Sequence, residues 1–155
     1  MDTLRREIKQ SKPFANLREE TLLNIWRTAD AVSQDLQRLL KSHGVSQTQY
    51  NVLRILRGAG KAGIASGEIG SRLIARDPDI TRLMDRLERA GLAQRGRLKE
   101  DRRVILARIT PKGLKLLADL DHPVMQLIDQ TLGHMNASRL KTLIGLLEEA
   151  RGGES

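Results

Sequence analysis

Between residues 17 and 41, Leu22, Trp26, Ala29, Val32, Leu36 and Leu39/Leu40 recur at three- and four-residue spacing, in a run without Gly or Pro. That spacing is one face of an amphipathic helix, and its length suits an extended interface helix. Gly44 stops it, and Ser46-Gln47-Thr48-Gln49 then reads as a capping box opening a second helix through Leu53 and Leu56. The glycines of residues 58–63 end that helix. Ser66 reads as the cap of a short helix bearing Ile69 and Leu73, and Asp77-Pro78 as the N-cap and first position of another that runs to Ala90. In this last helix Ile80, Leu83, Met84 and Leu87 fall at i, i+3, i+4 and i+7, leaving Asp79, Thr81, Arg82, Asp85, Arg86 and Arg89 on the opposite face.

Gly91 closes the helix, and residues 92–97 and 104–109 pattern as two short strands around a polar tip, a hairpin. Thr110-Pro111-Lys112-Gly113 opens a further helix through Leu116, Leu117 and Leu120, which Pro123 is predicted to break or kink near His122. Apolar spacing resumes at Val124, Leu127, Ile128 and Leu132, and Asn136-Ala137-Ser138 caps a last helix with Leu140, Leu143, Ile144 and Leu147. The pattern predicts a mainly α single domain over residues 1–155.

Charge changes this picture through its placement. The 155 residues carry 27 Lys+Arg against 19 Asp+Glu, a net +8. Residues 72–112 alone hold a net +6, residues 1–71 a net +4 and residues 113–155 a net −2. A solubilising charge is spread out, whereas a nucleic-acid footprint is clustered. Arginine outnumbers lysine 19 to 8, and the guanidinium fork suits phosphate and guanine edges. Membrane binding would want aromatic residues beside the charge on one helix face, but Phe14, Trp26 and Tyr50, the only aromatics, lie outside this segment.

Two short helices, the second with an exposed Arg-rich face, followed by a basic hairpin form the order of a winged helix-turn-helix with a two-stranded wing. A helix fits the major groove, where each base pair shows a distinct donor and acceptor pattern, and a thin hairpin reaches the minor groove beside it. The competing reading, an ordinary solvated helix face, does not explain Arg95, Arg97, Lys99, Arg102 and Arg103 on the adjoining hairpin. The DNA-binding candidates are Thr81, Arg82, Asp85, Arg86 and Arg89 on the helix, with Arg97, Lys99, Arg102 and Arg103 on the hairpin.

Gln49-Tyr50-Asn51-Val52-Leu53, the run from Asp79 through Asp85-Arg86-Leu87-Glu88-Arg89-Ala90-Gly91-Leu92, Asp101-Arg102-Arg103 and Thr110-Pro111-Lys112-Gly113 stand in the order in which they resemble the MarR (multiple antibiotic resistance regulator) family of bacterial transcription factors. The resemblance spans about residues 20–148. It implies a homodimer joined through long N- and C-terminal helices, here about residues 17–41 and 114–150. Each subunit would present a winged helix-turn-helix lobe, about residues 46–112, to half of a near-palindromic operator. It also implies a transcriptional regulator, most often a repressor, and a small-molecule effector held between the dimerisation helices and the DNA-binding lobe. For that ligand Trp26, Tyr50 and Arg54 are candidates, although Trp26 and Tyr50 also fit as core or interface residues. On the wing the resemblance makes Asp101 the orienter of an arginine, Arg103 the residue entering the minor groove, and Arg102 its second.

Other classes fare worse. Cysteine is absent, which removes disulfides, Cys-ligated zinc and the thiol-sensing branch of the family. Gly58-Ala59-Gly60-Lys61-Ala62-Gly63 matches G-x-G-x-x-G, but a helix rather than a strand precedes it, so a loop is expected. His43, His122 and His134 have no i, i+4 partner. No catalytic residue, metal or cofactor is expected, and the protein is expected to be cytoplasmic, with no membrane segment or signal peptide. An architectural DNA binder without an effector, and a protein-binding winged helix, remain as alternatives.

Overall fold

The computed structural model describes residues 3–98 and 101–152. A short helix, α1 (Thr3–Glu7), which no periodicity announces, buries Leu4. The predicted stripe then folds as α2 (Leu17–Ser42), capped by Asn16, whose side chain accepts the N–H groups of Arg18 and Glu19. The capping box forms as expected at α3 (Gln47–Ala59). Ser46 Oγ accepts Gln49 N at 3.1 Å, and Gln49 Oε1 accepts Ser46 N at 2.9 Å.

The glycine-rich decoy is a 3₁₀ turn (Gly60–Ala62) leading into a two-residue strand, β1 (Ile64–Ala65). Gly63 sits at φ 75, and a Cβ there would come within 2.8 Å of the Ala107 carbonyl oxygen. Only glycine combines that dihedral with that approach. Ser66 is the first residue of α4 (Ser66–Arg72) and does not cap it. Ala65 holds the cap position without a side-chain bond, and the buried Ser66 hydroxyl has no partner among the described residues.

The next helix, α5 (Ile80–Arg89), starts later than the Asp77-Pro78 signal suggests. Asp77 Oδ1 accepts Asp79 N at 2.8 Å in a local turn, and Asp79 Oδ1 accepts Arg82 N at 3.0 Å as the true cap. With one aspartate closing a turn around Pro78, the other is left to begin the helix.

The hairpin pairs β2 (Ala93–Arg97) antiparallel with β3 (Ile105–Ile109), in register Arg95↔Ala107. The sheet has three strands rather than two: β1 joins the far edge of β3 through Ile64↔Ala107 and Ala65↔Leu106, giving the order β1-β3-β2. Pro123 does not break α6 (Pro111–Leu132), which runs through it. Leu117 and Leu120 before the proline and Val124 after it are all buried in one core, so packing holds both halves against the loss of one backbone donor. Asn136 caps α7 (Ala137–Ala150), accepting Arg139 N at 3.0 Å.

The core joins the C-terminal end of α2 to α3, α4, α5, the sheet and the first half of α6. Leu40, Leu53, Leu56, Ile69, Met84, Leu87, Leu117 and Leu120 are fully buried there, each stabilising by about 1.5–3 kcal/mol. The N-terminal part of α2 and all of α7 lie outside it. Helix α7 buries no residue, and Leu17, Leu22, Trp26, Ile144 and Leu146 are exposed. Among the described residues, no helix is long and apolar enough to cross a membrane.

Candidate nucleic-acid interface

Helix α5 buries Leu83, Met84 and Leu87 against the core, and this turns Thr81, Arg82, Arg86 and Arg89 outward, all exposed. Arg86 and Arg89 have no partner among the described residues, whereas Arg82 Nε lies 3.1 Å from Asp79 Oδ2. At the far end, Gly91 at φ 72 turns the chain into β2, and two residues at the α6 start tie that turn down. Thr110 Oγ1 donates to Gly91 O at 2.6 Å and accepts Gly113 N at 3.1 Å, and Lys112 Nζ donates to Ala90 O at 2.7 Å. The cation sits at the negative end of the α5 dipole.

The wing is joined to α5 by an ion cluster that the sequence does not reveal. Arg95 donates its backbone N–H to Glu88 Oε1 at 2.7 Å and its Nε to Glu88 Oε2 at 3.0 Å, and its Nη2 pairs with Asp85. Hydrogen bonds from Arg95 hold the Glu88 carboxyl below its ordinary range, and those from Glu88 and then Asp85 raise the guanidinium. Asp85, a candidate for contact, is thus half-buried and occupied. Arg95, counted only as hairpin charge, spends that charge inside the lobe.

At the wing tip Asp101 Oδ1 accepts the backbone N–H of Arg103 at 3.0 Å, and the Asp101 carbonyl accepts Val104 N at 3.0 Å. Its carboxylate thus closes a tight Asx turn on the Arg103 backbone, and among the described residues it meets no guanidinium. Arg97, Arg102 and Arg103 are exposed and carry no side-chain partner among the described residues. Lys99 lies outside the described residues. At the hinge end of the wing, Arg108 donates to Lys61 O at 2.8 Å and Ala62 O at 3.2 Å, fixing β3 to the turn before β1.

The three ligand candidates separate. Tyr50 and Arg54 share a cleft of about 250 Å³ whose walls come from α2, α3 and the α4–α5 linker, with Ser33, Asn51 and Ile74 also on its lining. The Arg54 guanidinium stands 5.9 Å from the centre of the Tyr50 ring. Trp26 is not in that cleft; it stands 66% exposed on the outer part of α2. Below the cleft, Arg57 makes a two-pronged pair with Asp121 at 2.8 and 3.0 Å, joining α3 to α6. That hydrogen bonding lowers the Asp121 carboxyl and raises the Arg57 guanidinium. A larger apolar groove of about 700 Å³ lies between α2 and α7, lined by Leu17, Ile25, Val32, Leu143 and Leu147 among others.

Known proteins share this fold. The MarR family profile matches residues 45–105. The uncharacterized HTH-type transcriptional regulator YkoM of Bacillus subtilis is 31% identical over 136 residues, 84% of this chain and 86% of its own. A MarR transcription factor from Planctomyces limnophilus is 43% identical, with a TM-score of 0.67 over 88% of this chain and 98% of that one. Bordetella bronchiseptica BpsR, whose DNA binding is regulated by 6-hydroxynicotinic acid, is 19% identical, with a TM-score of 0.78 over 92% of this chain and 100% of its own.

Proposed function

The chain belongs to the MarR family, and from that premise we propose that it is a homodimeric, sequence-specific duplex-DNA-binding regulator of transcription. In this reading it is a repressor released by a small-molecule effector and performs no catalysis. The observation that carries DNA binding is the free, outward Arg86 and Arg89 of α5 beside a wing fixed to the same helix by Arg95. The helix fits the major groove, with Arg82 at its start and Arg86 one turn on reading base edges, and Thr81 meeting a thymine methyl or a phosphate. Arg103, seconded by Arg102, uses the focused potential of a narrow minor groove, and Arg89 and Arg97 serve phosphates.

Dimerisation is supported by the exposed apolar face of α7 and the groove it forms with α2. Residues 17–42 and 111–150 then form the dimer body and residues 46–110 the DNA-binding lobe. Trp26 belongs to the dimer body in this reading, and the effector site is the Tyr50–Arg54 cleft. Its cation over an aromatic ring suits a small aromatic acid, the class of the ligand of BpsR.

Selection of duplexes from a random library tests the reading. The expected site is a near-palindrome with half-sites about 10–10.5 bp apart between centres. Arg86→Ala should cost roughly 1–3 kcal/mol and relax one base-pair preference. No sequence preference would leave an architectural binder, and no retention on DNA at physiological salt would leave a protein-binding module. Leu147→Glu should give a monomer in sedimentation that binds the palindrome weakly; a wild-type monomer binding one half-site at full affinity would refute the dimer.

A further inference from the structure

The recognition helix starts on a residue whose carboxylate is used twice. Oδ1 of Asp79 caps the helix on the backbone N–H of Arg82, and Oδ2 lies 3.1 Å from Nε of the same residue's side chain, an ion pair without hydrogen-bond geometry. The cap alone does not require a charge, because Asn caps as well as Asp. Nor does stability require the ion pair, since the Arg82 side chain is 77% exposed and exposed i, i+3 pairs contribute little. What the pair does change is how Arg82 meets DNA.

With Asp79 against the Nε side, the two terminal nitrogens of the guanidinium, without a partner among the described residues, keep their donors for a partner with two acceptors side by side. The major-groove edge of guanine offers such a pair in O6 and N7. A phosphate offers oxygens too, but it is an anion, and Asp79 beside the guanidinium cancels the attraction that would draw Arg82 to it. The carboxylate also biases a long, exposed side chain toward its own side before binding, which lowers the ordering entropy lost on contact. Arg86, without such a partner, has neither restraint.

We propose that Asp79 is a specificity-determining residue of the DNA interface: it orients Arg82 and reserves its terminal nitrogens for a guanine edge at the expense of phosphate. This rests on the base-reading role given to Arg82 above.

The test uses full-length protein, the duplex selected from a random library and a random-sequence duplex of equal length. Asp79→Asn keeps the cap and is expected to leave Tm unchanged. Affinity for random duplex should rise, its salt slope should steepen by about one unit, and the selected-to-random affinity ratio should fall about two- to tenfold. The preference lost should be at the base pair that Arg82→Ala also relaxes, and Asp79→Asn should change the ratio no further in an Arg82→Ala background. An unchanged ratio in Asp79→Asn, or an equal fall with and without Arg82, overturns the inference while leaving Arg82 as a reader. If Arg82→Ala itself leaves every base preference intact, the base-reading role fails, and the inference with it.

Discussion

Lys112 Nζ donates to the carbonyl oxygen of Ala90 at 2.7 Å, so the first turn of α6 closes off the last turn of the recognition helix. Two of the family-like signatures, Ala90-Gly91-Leu92 and Thr110-Pro111-Lys112-Gly113, are therefore halves of one joint. Gly113 is the tightest point in it. A Cβ there would overlap the Leu92 carbonyl and come within 2.7 Å of Ile109 Cγ1.

Gly113→Ala forces backbone and a packed side chain apart and is expected to destabilise the protein by about 1–3 kcal/mol, as overpacking does. Urea unfolding measures this. A midpoint equal to the wild type's would show that the joint yields freely.

The Arg95 cluster gives a pH dependence with a definite sign. Glu88 is held below its ordinary value in the folded protein by Arg95, so its contribution is complete above the unfolded carboxyl range, about 4.3. It is lost as pH falls through the lower folded value. Arg95→Met should destabilise by roughly 1–2 kcal/mol at pH 7, since hydrogen bonds to charged groups are worth more than neutral ones but these are partly wet. The same variant should flatten the decline of Tm between about pH 5 and pH 3. An acid limb parallel to the wild type's would mean that Glu88 does not feel Arg95.

On the wing, Arg103→Ala should weaken operator binding and lower the salt slope by about one unit. Asp101→Ala should also weaken it, despite removing a negative charge, because the turn that places the Arg103 backbone is lost. Tighter binding by Asp101→Ala would show that net charge alone governs the wing.

Arg54→Met is expected to remove the response to small aromatic acids while leaving operator affinity near that of the wild type; Trp26→Ala should leave ligand binding alone and weaken the dimer. Calorimetric titration with 6-hydroxynicotinic acid and with benzoate measures the first, and sedimentation the second. Undiminished ligand binding by Arg54→Met would move the effector site elsewhere.

Periodicity sufficed for α2 and α5 because apolar stripes at helical spacing arise from burial itself, as Leu36, Leu40, Leu83 and Leu87 show, whereas at Pro123 core packing overrides the expected break in α6. The exposed face of α5 was equally legible, since what is left after the buried positions must face outward. The small features were not. Strand β1 has two residues, too few for alternation to show, and it exists only because the far edge of β3 is free to pair. Asp77 and Asp79 carry the same capping chemistry on either side of Pro78, so only the folded turn decides between them. The link from Arg95 to Asp85 and Glu88 depends on how β2 lies across α5, and no local spacing encodes it. Asn51 and Ser33 in the cleft were missed for the same reason, as each meets the other residues there only through the packing of α2 on α3.

The pairing of Ile64 with Ala107 also bears on how the lobe assembles. It closes α4, α5 and the wing into a single loop of chain whose ends meet in one sheet, so neither the helix pair nor the hairpin is a separable folding unit. Contacts between positions so far apart in sequence are made late and slowly compared with helix formation. The packing of α2 on α6 joins positions still farther apart in sequence, so that contact and the sheet both wait on the whole chain of the lobe. The surface that faces DNA and the helices that carry it are therefore expected to fold as one cooperative unit, tied together by a ladder two residues long.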